Sequence, residues 1–183
     1  VSFNYTLEQL AYVGASKELI DIYGSAKDFP ERVIMIELSE MALSQRGAHN
    51  VLRAELEALG DNGFIIALDD FGVESSNLNR LHELPIHVVK LDKALIGDLI
   101  TSETQRSIVR GIAMIVKNLN IKVIAEGVET TQQANILMDE NLYVHQGYLN
   151  AKPMRPEEIV VQFSKIGADV VIGESAEKDP DIL

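Results

Sequence analysis

Short apolar runs alternate along this chain with longer segments in which apolar residues recur every three or four positions. Val33-Ile34-Met35-Ile36, Phe64-Ile65-Ile66-Ala67-Leu68, Val88-Val89 and Ile121-Lys122-Val123-Ile124-Ala125 are nearly continuous rather than alternating. Such runs predict strands buried on both faces. Val1-Ser2-Phe3 and the weaker stretch Leu142 to Val144 add two short candidates. Ala48, Val51, Leu52, Leu56 and Leu59 predict one amphipathic helix; Ile108, Ile112, Ile115, Val116 and Leu119 predict another. Asn62-Gly63 supplies a stop for the first. Thr130-Thr131 can cap a further helix, roughly Gln132 to Met138, and Pro156 opens a last one through Ile159 and Phe163.

The order strand, helix, strand, helix implies parallel strands joined by helical crossovers. Both an open doubly wound sheet and a (β/α) barrel fit that order. No Gly-x-Gly-x-x-Gly follows a strand, so the dinucleotide fingerprint of an open sheet is absent.

Polar residues mark the strand ends. Asn4 ends the first strand, Glu37 the second, Asp69 and Asp70 the third, Lys90 the fourth and Glu126 the fifth, with Gln146 after the weak stretch. In a parallel barrel these ends converge on one face, which holds the active site. A single acidic residue after a strand commonly caps the next helix. Several converging carboxylates are different, because like charges at close range repel by about 4 kcal/mol per pair at an effective dielectric near 20. They must be protonated, paired or bound to cations, and one lysine does not neutralise them all. An all-oxygen cluster suits Mg²⁺, Mn²⁺ or Ca²⁺ rather than Zn²⁺. Consecutive aspartates suit two ions sharing one carboxylate, a geometry that serves in-line attack on a phosphodiester.

Composition narrows the field. The net charge of −12 argues against a DNA- or RNA-binding protein, which needs cationic stripes. The absence of cysteine excludes disulfides and thiolate metal sites and fits a reducing compartment. No apolar run is long enough to cross a bilayer and no secretory signal opens the chain, so a cytoplasmic protein, or the cytosolic part of a larger one, without direct membrane contact is expected. His49, His82, His87 and His145 have no metal-ligand spacing and read as surface or packing residues. The acidic stretch 166–183 reads as a tail after a domain spanning 1–165.

The motifs together resemble the EAL domain family. Glu37-Leu38-Ser39-Glu40 is similar to its E-x-T-E, Asp69-Asp70-Phe71-Gly72 to its DDFG, and Leu84-Pro85-Ile86 with Lys90-Leu91-Asp92 to its LP-[IV]-D…K-I-D. Glu126-Gly127-Val128-Glu129-Thr130 is similar to EGVET, Gln146-Gly147-Tyr148-Leu149 with Lys152-Pro153 to QGY-[LF]-x-x-KP, and Asn4-Tyr5-Thr6 to N-x-S. The resemblance implies a TIM-like (β/α) barrel, incomplete at the N-terminus, that hydrolyses cyclic di-GMP to linear pGpG. It implies two ions, Mg²⁺ or Mn²⁺, one held by Asn4, Glu37 and Asp69 and the other by Asp69, Asp70 and Glu126. Lys90 would orient the attacking water, with Gln146 and Glu129 in support. Glu40 would anchor the loop after the paired aspartates, which in the family also helps pair subunits into a homodimer.

Three departures accompany the resemblance. The strand carrying the family's EAL tripeptide would precede Val1, so the chain reads as a fragment, with upstream domains in the full protein. Glu74 and Ser75 stand where the family has glycine and tyrosine, and a glutamate rarely takes the positive φ open to glycine. His87 stands where the family has aspartate. A receptor that binds cyclic di-GMP without cutting it, and a protein-interaction domain that has lost the ligand, therefore stay open beside the phosphodiesterase.

Overall fold

The structure, a computed structural model, describes residues 1–24, 34–39, 49–72, 81–155 and 157–159. The chain divides into two units, Val1–Asn150 and Ala151–Leu183. In the second, the Arg155 backbone N–H donates to the Glu158 carboxylate at 2.8 Å, closing a short helical turn at 157–159. Phe163 and the expected acidic tail lie outside the described residues.

The first unit opens with β1 (Ser2–Tyr5), α1 (Leu7–Leu10), α2 (Ala15–Tyr23), β2 (Met35–Ser39) and α3 (His49–Asp61). It continues with β3 (Ile65–Phe71), β4 (Val88–Leu91), α4 (Lys93–Gly97), α5 (Glu103–Asn118), β5 (Lys122–Ala125) and α6 (Thr131–Asp139). The strands form one parallel sheet in the order β1-β2-β3-β4-β5. A doubly wound sheet reverses direction part-way along its strand order. Here each strand lies beside its predecessor throughout, as in a barrel wall, so the alternative left open by the sequence is settled for the five strands described.

The central strands β2, β3 and β4 carry nearly continuous apolar runs because both of their faces are covered. Ile36, Leu38, Ile66, Ala67, Leu68, Val89 and Leu91 are fully buried. On the outer face, α3 contributes Leu52, Leu56 and Leu59, all buried. For α5 the expected face is shifted. Val109, Ala113 and Val116 are the buried residues, whereas Ile108, Ile115 and Leu119 are exposed. Apolar residues on α5 form two overlapping helical stripes, and the one carrying the small Ala113 is the one that packs, since a short side chain lets helix and sheet approach. A second difference concerns Leu142 to Val144. Among the described residues this stretch forms no strand; its neighbour His145 makes only an isolated bridge to Ala125. A third is one of register: Asn4, Glu37, Asp69, Asp70 and Lys90 lie within their strands rather than at or after their ends.

Two polar contacts hold the scaffold. Gly14, at the N-cap of α2, has a left-handed φ of 101° and no side chain to cap the helix. Glu55 of α3 does so instead, accepting from Gly14 N–H at 2.9 Å, Ser16 N–H at 2.8 Å and Ser16 Oγ at 2.6 Å. A carboxylate satisfies the free N–H groups there and favours the positive end of the helix dipole. His87 extends the β3–β4 ladder: its N–H donates to Ile66 O at 2.8 Å and its Nδ1 accepts from Ile66 N–H at 3.0 Å. Burial keeps its pKa below the ordinary histidine value, which favours the neutral ring that this acceptor role requires.

Burial alone would raise the Glu55 pKa, but its bonds to Ser16 and Gly14 outweigh burial and leave it lowered. Its contribution is therefore complete above the unfolded carboxylate pKa and lost as pH falls through the folded value. Glu55→Ala is expected to cost about 1.5–3 kcal/mol in urea unfolding at pH 7, with a smaller difference from the parent at pH 4.

Candidate active site

The paired aspartates occupy a β-bulge. Leu68 pairs with Val89 and Phe71 with Leu91, so Asp69 and Asp70 together face the single residue Lys90. In a regular strand consecutive side chains point to opposite faces. The extra residue, with Asp70 in the left-handed region at φ 55°, breaks that alternation. Aspartate tolerates this conformation better than most residues. As a result Asp69, Asp70 and Glu126 each present a carboxylate oxygen, all within 4.8 Å of one another.

Lys90 stands at the centre. Its Nζ lies 2.9 Å from Glu37 Oε2, 2.8 Å from Asp69 Oδ1 and 2.7 Å from Glu126 Oε1. Its side chain is 6% exposed. Burial by itself would lower the lysine pKa, but the three carboxylates outweigh it and the pKa is raised, so Lys90 is cationic. Glu126 is displaced upward, first by burial and then by Asp69 and Glu37, with Lys90 opposing. Asp70 is also raised, by burial first, then by Asp69 and Asp92. One ammonium thus faces Glu37, Asp69, Asp70 and Glu126, and the surplus of negative charge remains.

The strand registers and loops bring the other residues in. Asn4 pairs with Glu37 across the β1–β2 ladder and so shares its face. Its neighbours Phe3 and Tyr5 turn the other way, Phe3 packing on Tyr23 with ring centroids 4.7 Å apart and Tyr5 Oη lying 3.1 Å from Tyr23 Oη. After β5, Glu126 N–H continues the ladder by donating to Leu91 O at 2.9 Å. Gln146 Nε2 donates to Glu126 Oε1 at 2.7 Å. Two glycines make this possible. A Cβ on Gly127, at φ 68°, would lie 2.5 Å from Lys93 Cβ; one on Gly147, at φ 156°, would lie 2.2 Å from Val128 O.

Of the expected site residues, Glu37, Asp69, Asp70, Lys90, Glu126 and Gln146 are brought together, with Asn4 on the same face. Glu129 is placed differently: it is exposed, and its backbone N–H donates to Gln133 Oε1 at 2.9 Å. Glu40, Glu74 and Ser75 lie outside the described residues. Asp92 was not among the expected site residues. It caps α4 through Ala94 N–H at 2.7 Å and adds its charge to the field on Asp70.

The donor set fits hard divalent cations. All candidate ligands are oxygens. Asp69 Oδ1 is buried, and the partner it meets is the Lys90 ammonium at 2.8 Å. With one ammonium shared among the carboxylates, the surplus negative charge favours further cations.

The family model for the EAL domain matches residues 1–153. The chain belongs to the EAL domain family. It is 36% identical over 118 residues to the probable cyclic di-GMP phosphodiesterase PdeG of Escherichia coli, covering 64% of this chain and 23% of that protein. The EAL domain of Mycobacterium smegmatis DcpA superposes with a TM-score of 0.79 at 27% identity, covering 90% of this chain and 72% of that one. Klebsiella pneumoniae BlrP1, in a complex with manganese and cyclic di-GMP, superposes at 0.69 with 28% identity, covering 81% and 37%. The chain spans 13% to 23% of the length of the curated relatives it matches. Its fold is that of the EAL barrel, with five parallel wall strands described. Among the described residues no helix is long and apolar enough to cross a membrane.

Removing the ammonium from this EAL domain leaves the buried Glu37 and the half-buried Asp69 and Glu126 without their cation. Lys90→Met is expected to destabilise the metal-free protein by about 3–5 kcal/mol near pH 7.5. The deficit should shrink at pH 5.5, where the carboxylates take up protons. Urea unfolding at the two pH values checks both the size and the sign.

Proposed function

We propose that this EAL domain is a metal-dependent phosphodiesterase that hydrolyses cyclic di-GMP to linear pGpG. The observation that carries the reading is the convergence of Glu37, Asp69, Asp70 and Glu126 around the single buried ammonium of Lys90. The phosphodiesterase and cyclic di-GMP complex among its relatives support it.

Asn4, Glu37 and Asp69 would hold one ion, Mg²⁺ or Mn²⁺, and Asp69, Asp70 and Glu126 the second. Bound there, the ions would supply charge neutralisation at the phosphodiester and a lowered pKa for the attacking water. The chain's own residues do the positioning. Lys90, cationic and held by carboxylates on three strands or their ends, would orient the attacking water through its charge. Gln146 fixes the rotamer of Glu126 by donating to its Oε1. Glu129 follows on the same loop and would support substrate or ligands from the mouth. The reaction adds one water, breaks one P–O bond of the cyclic dinucleotide and leaves a 5′-phosphate and a free 3′-hydroxyl. We place the domain in the cytoplasm, working as a homodimer attached to further domains, with Glu40 anchoring the loop after β3.

A receptor reading is favoured by one sequence feature, Glu74 and Ser75 in place of the family's glycine and tyrosine. Incubating the intact protein with cyclic di-GMP and Mn²⁺, then separating products by chromatography, distinguishes the two. Linear pGpG is expected, and Asp69→Asn should lower turnover by about 10²–10³-fold. Binding of the nucleotide without product would establish the receptor; neither binding nor product would leave an interaction domain.

A further inference from the structure

We infer that Gln133, outside the cluster itself, is a positioning residue that sets the distance between Glu126 and Lys90. This rests on the metal-site reading above. Gln133 is 6% exposed. Its Oε1 accepts from Glu129 N–H at 2.9 Å and Thr130 N–H at 3.0 Å, forming the capping box of α6 with Thr130. A cap needs only an acceptor, and glutamate serves at this position as well as glutamine. The other half of the amide has a separate use. Gln133 Nε2 donates to Ile96 O at 3.3 Å, on α4 and 37 residues away in sequence.

That bond joins the two helices that follow the reactive groups in the chain. α4 begins three residues after Lys90, at Lys93, behind the Asp92 cap. The loop capped by Gln133 starts with Glu126. That loop also meets α4 at Gly127, whose missing side chain lets the loop backbone lie against Lys93. Two pins, one steric and one hydrogen-bonded, therefore hold the Glu126 loop against the segment that follows Lys90. The 2.7 Å contact of Lys90 Nζ with Glu126 Oε1 sits beside them. Gln133 touches neither residue's side chain; it acts through the loop backbone and α4.

Gln133→Glu separates the two uses. The carboxylate keeps both cap acceptors but sets a negative charge against Ile96 O, so the cap survives and the α4 pin is lost. Gln133→Ala loses both. Mn²⁺ affinity of the intact protein, measured by titration calorimetry without nucleotide and well below the melting temperature, is the main readout. Gln133→Glu is expected to weaken Mn²⁺ binding by roughly 10- to 100-fold, the range for groups that orient metal ligands from behind, while melting within a few degrees of the parent. In turnover its kcat should fall more than its KM rises. Unchanged Mn²⁺ affinity in Gln133→Glu, or a loss in both variants that only follows a fall in melting temperature, overturns the inference. A parent protein that binds no Mn²⁺ overturns the metal reading itself, and this inference with it.

Discussion

The buried ammonium of Lys90 is what allows the carboxylates to share one space. Glu37, Asp69 and Glu126 come from three different strands or their ends, and each contacts Nζ within 3 Å. Without a cation at that point, mutual repulsion of about 4 kcal/mol per close pair would splay the strand ends or force protonation. With it, the upper rim of the sheet closes around one charge. The balance is incomplete, because one positive charge meets four carboxylates; burial first, and the neighbouring carboxylates after it, raise the pKa values of Asp70 and Glu126. Such a site is stable enough to persist and unbalanced enough to favour further cations.

The scaffold beneath it is ordinary by comparison. Sequential parallel strands, two-sided burial and helices capped by Thr6, Asp92, Ser102 and Thr130 hold the rim residues at fixed heights. Glu55 and His87 act alike: Glu55 places its two oxygens on the N–H groups of Gly14 and Ser16, and His87 places one ring nitrogen on that of Ile66.

Much of this was legible in the chain. Continuous apolar runs marked the strands, because a sheet covered on both faces leaves no polar alternation. The polar residue punctuating each run marked the site, because parallel strands share one end. What was not legible depended on three-dimensional choice. The α5 pattern offered two apolar stripes, and only packing against the sheet selected the one through Ala113. The apolar residues at Leu142 to Val144 suggested a strand, but only the bridge at His145 joins Ala125. Asp69-Asp70 could be read as a pair, yet nothing in the letters showed that a bulge places them opposite one residue. Gln133 was equally hidden: as the third residue of a helix it is a commonplace cap, and its tie to Ile96 is a contact across 37 residues.

The bulge separates what the fold needs from what the site needs. Below it, Ala67 and Leu68 pair with Val88 and Val89; above it, Phe71 pairs with Leu91. Deleting one of the two aspartates would let β3 and β4 pair without interruption, keeping every buried apolar residue on its side of the sheet and improving the ladder. The rim would then carry one aspartate where it now carries two. A lineage could therefore lose the chemistry of this barrel through a single-codon loss that leaves a better-formed protein behind, which makes the retained extra residue a record of use rather than of stability.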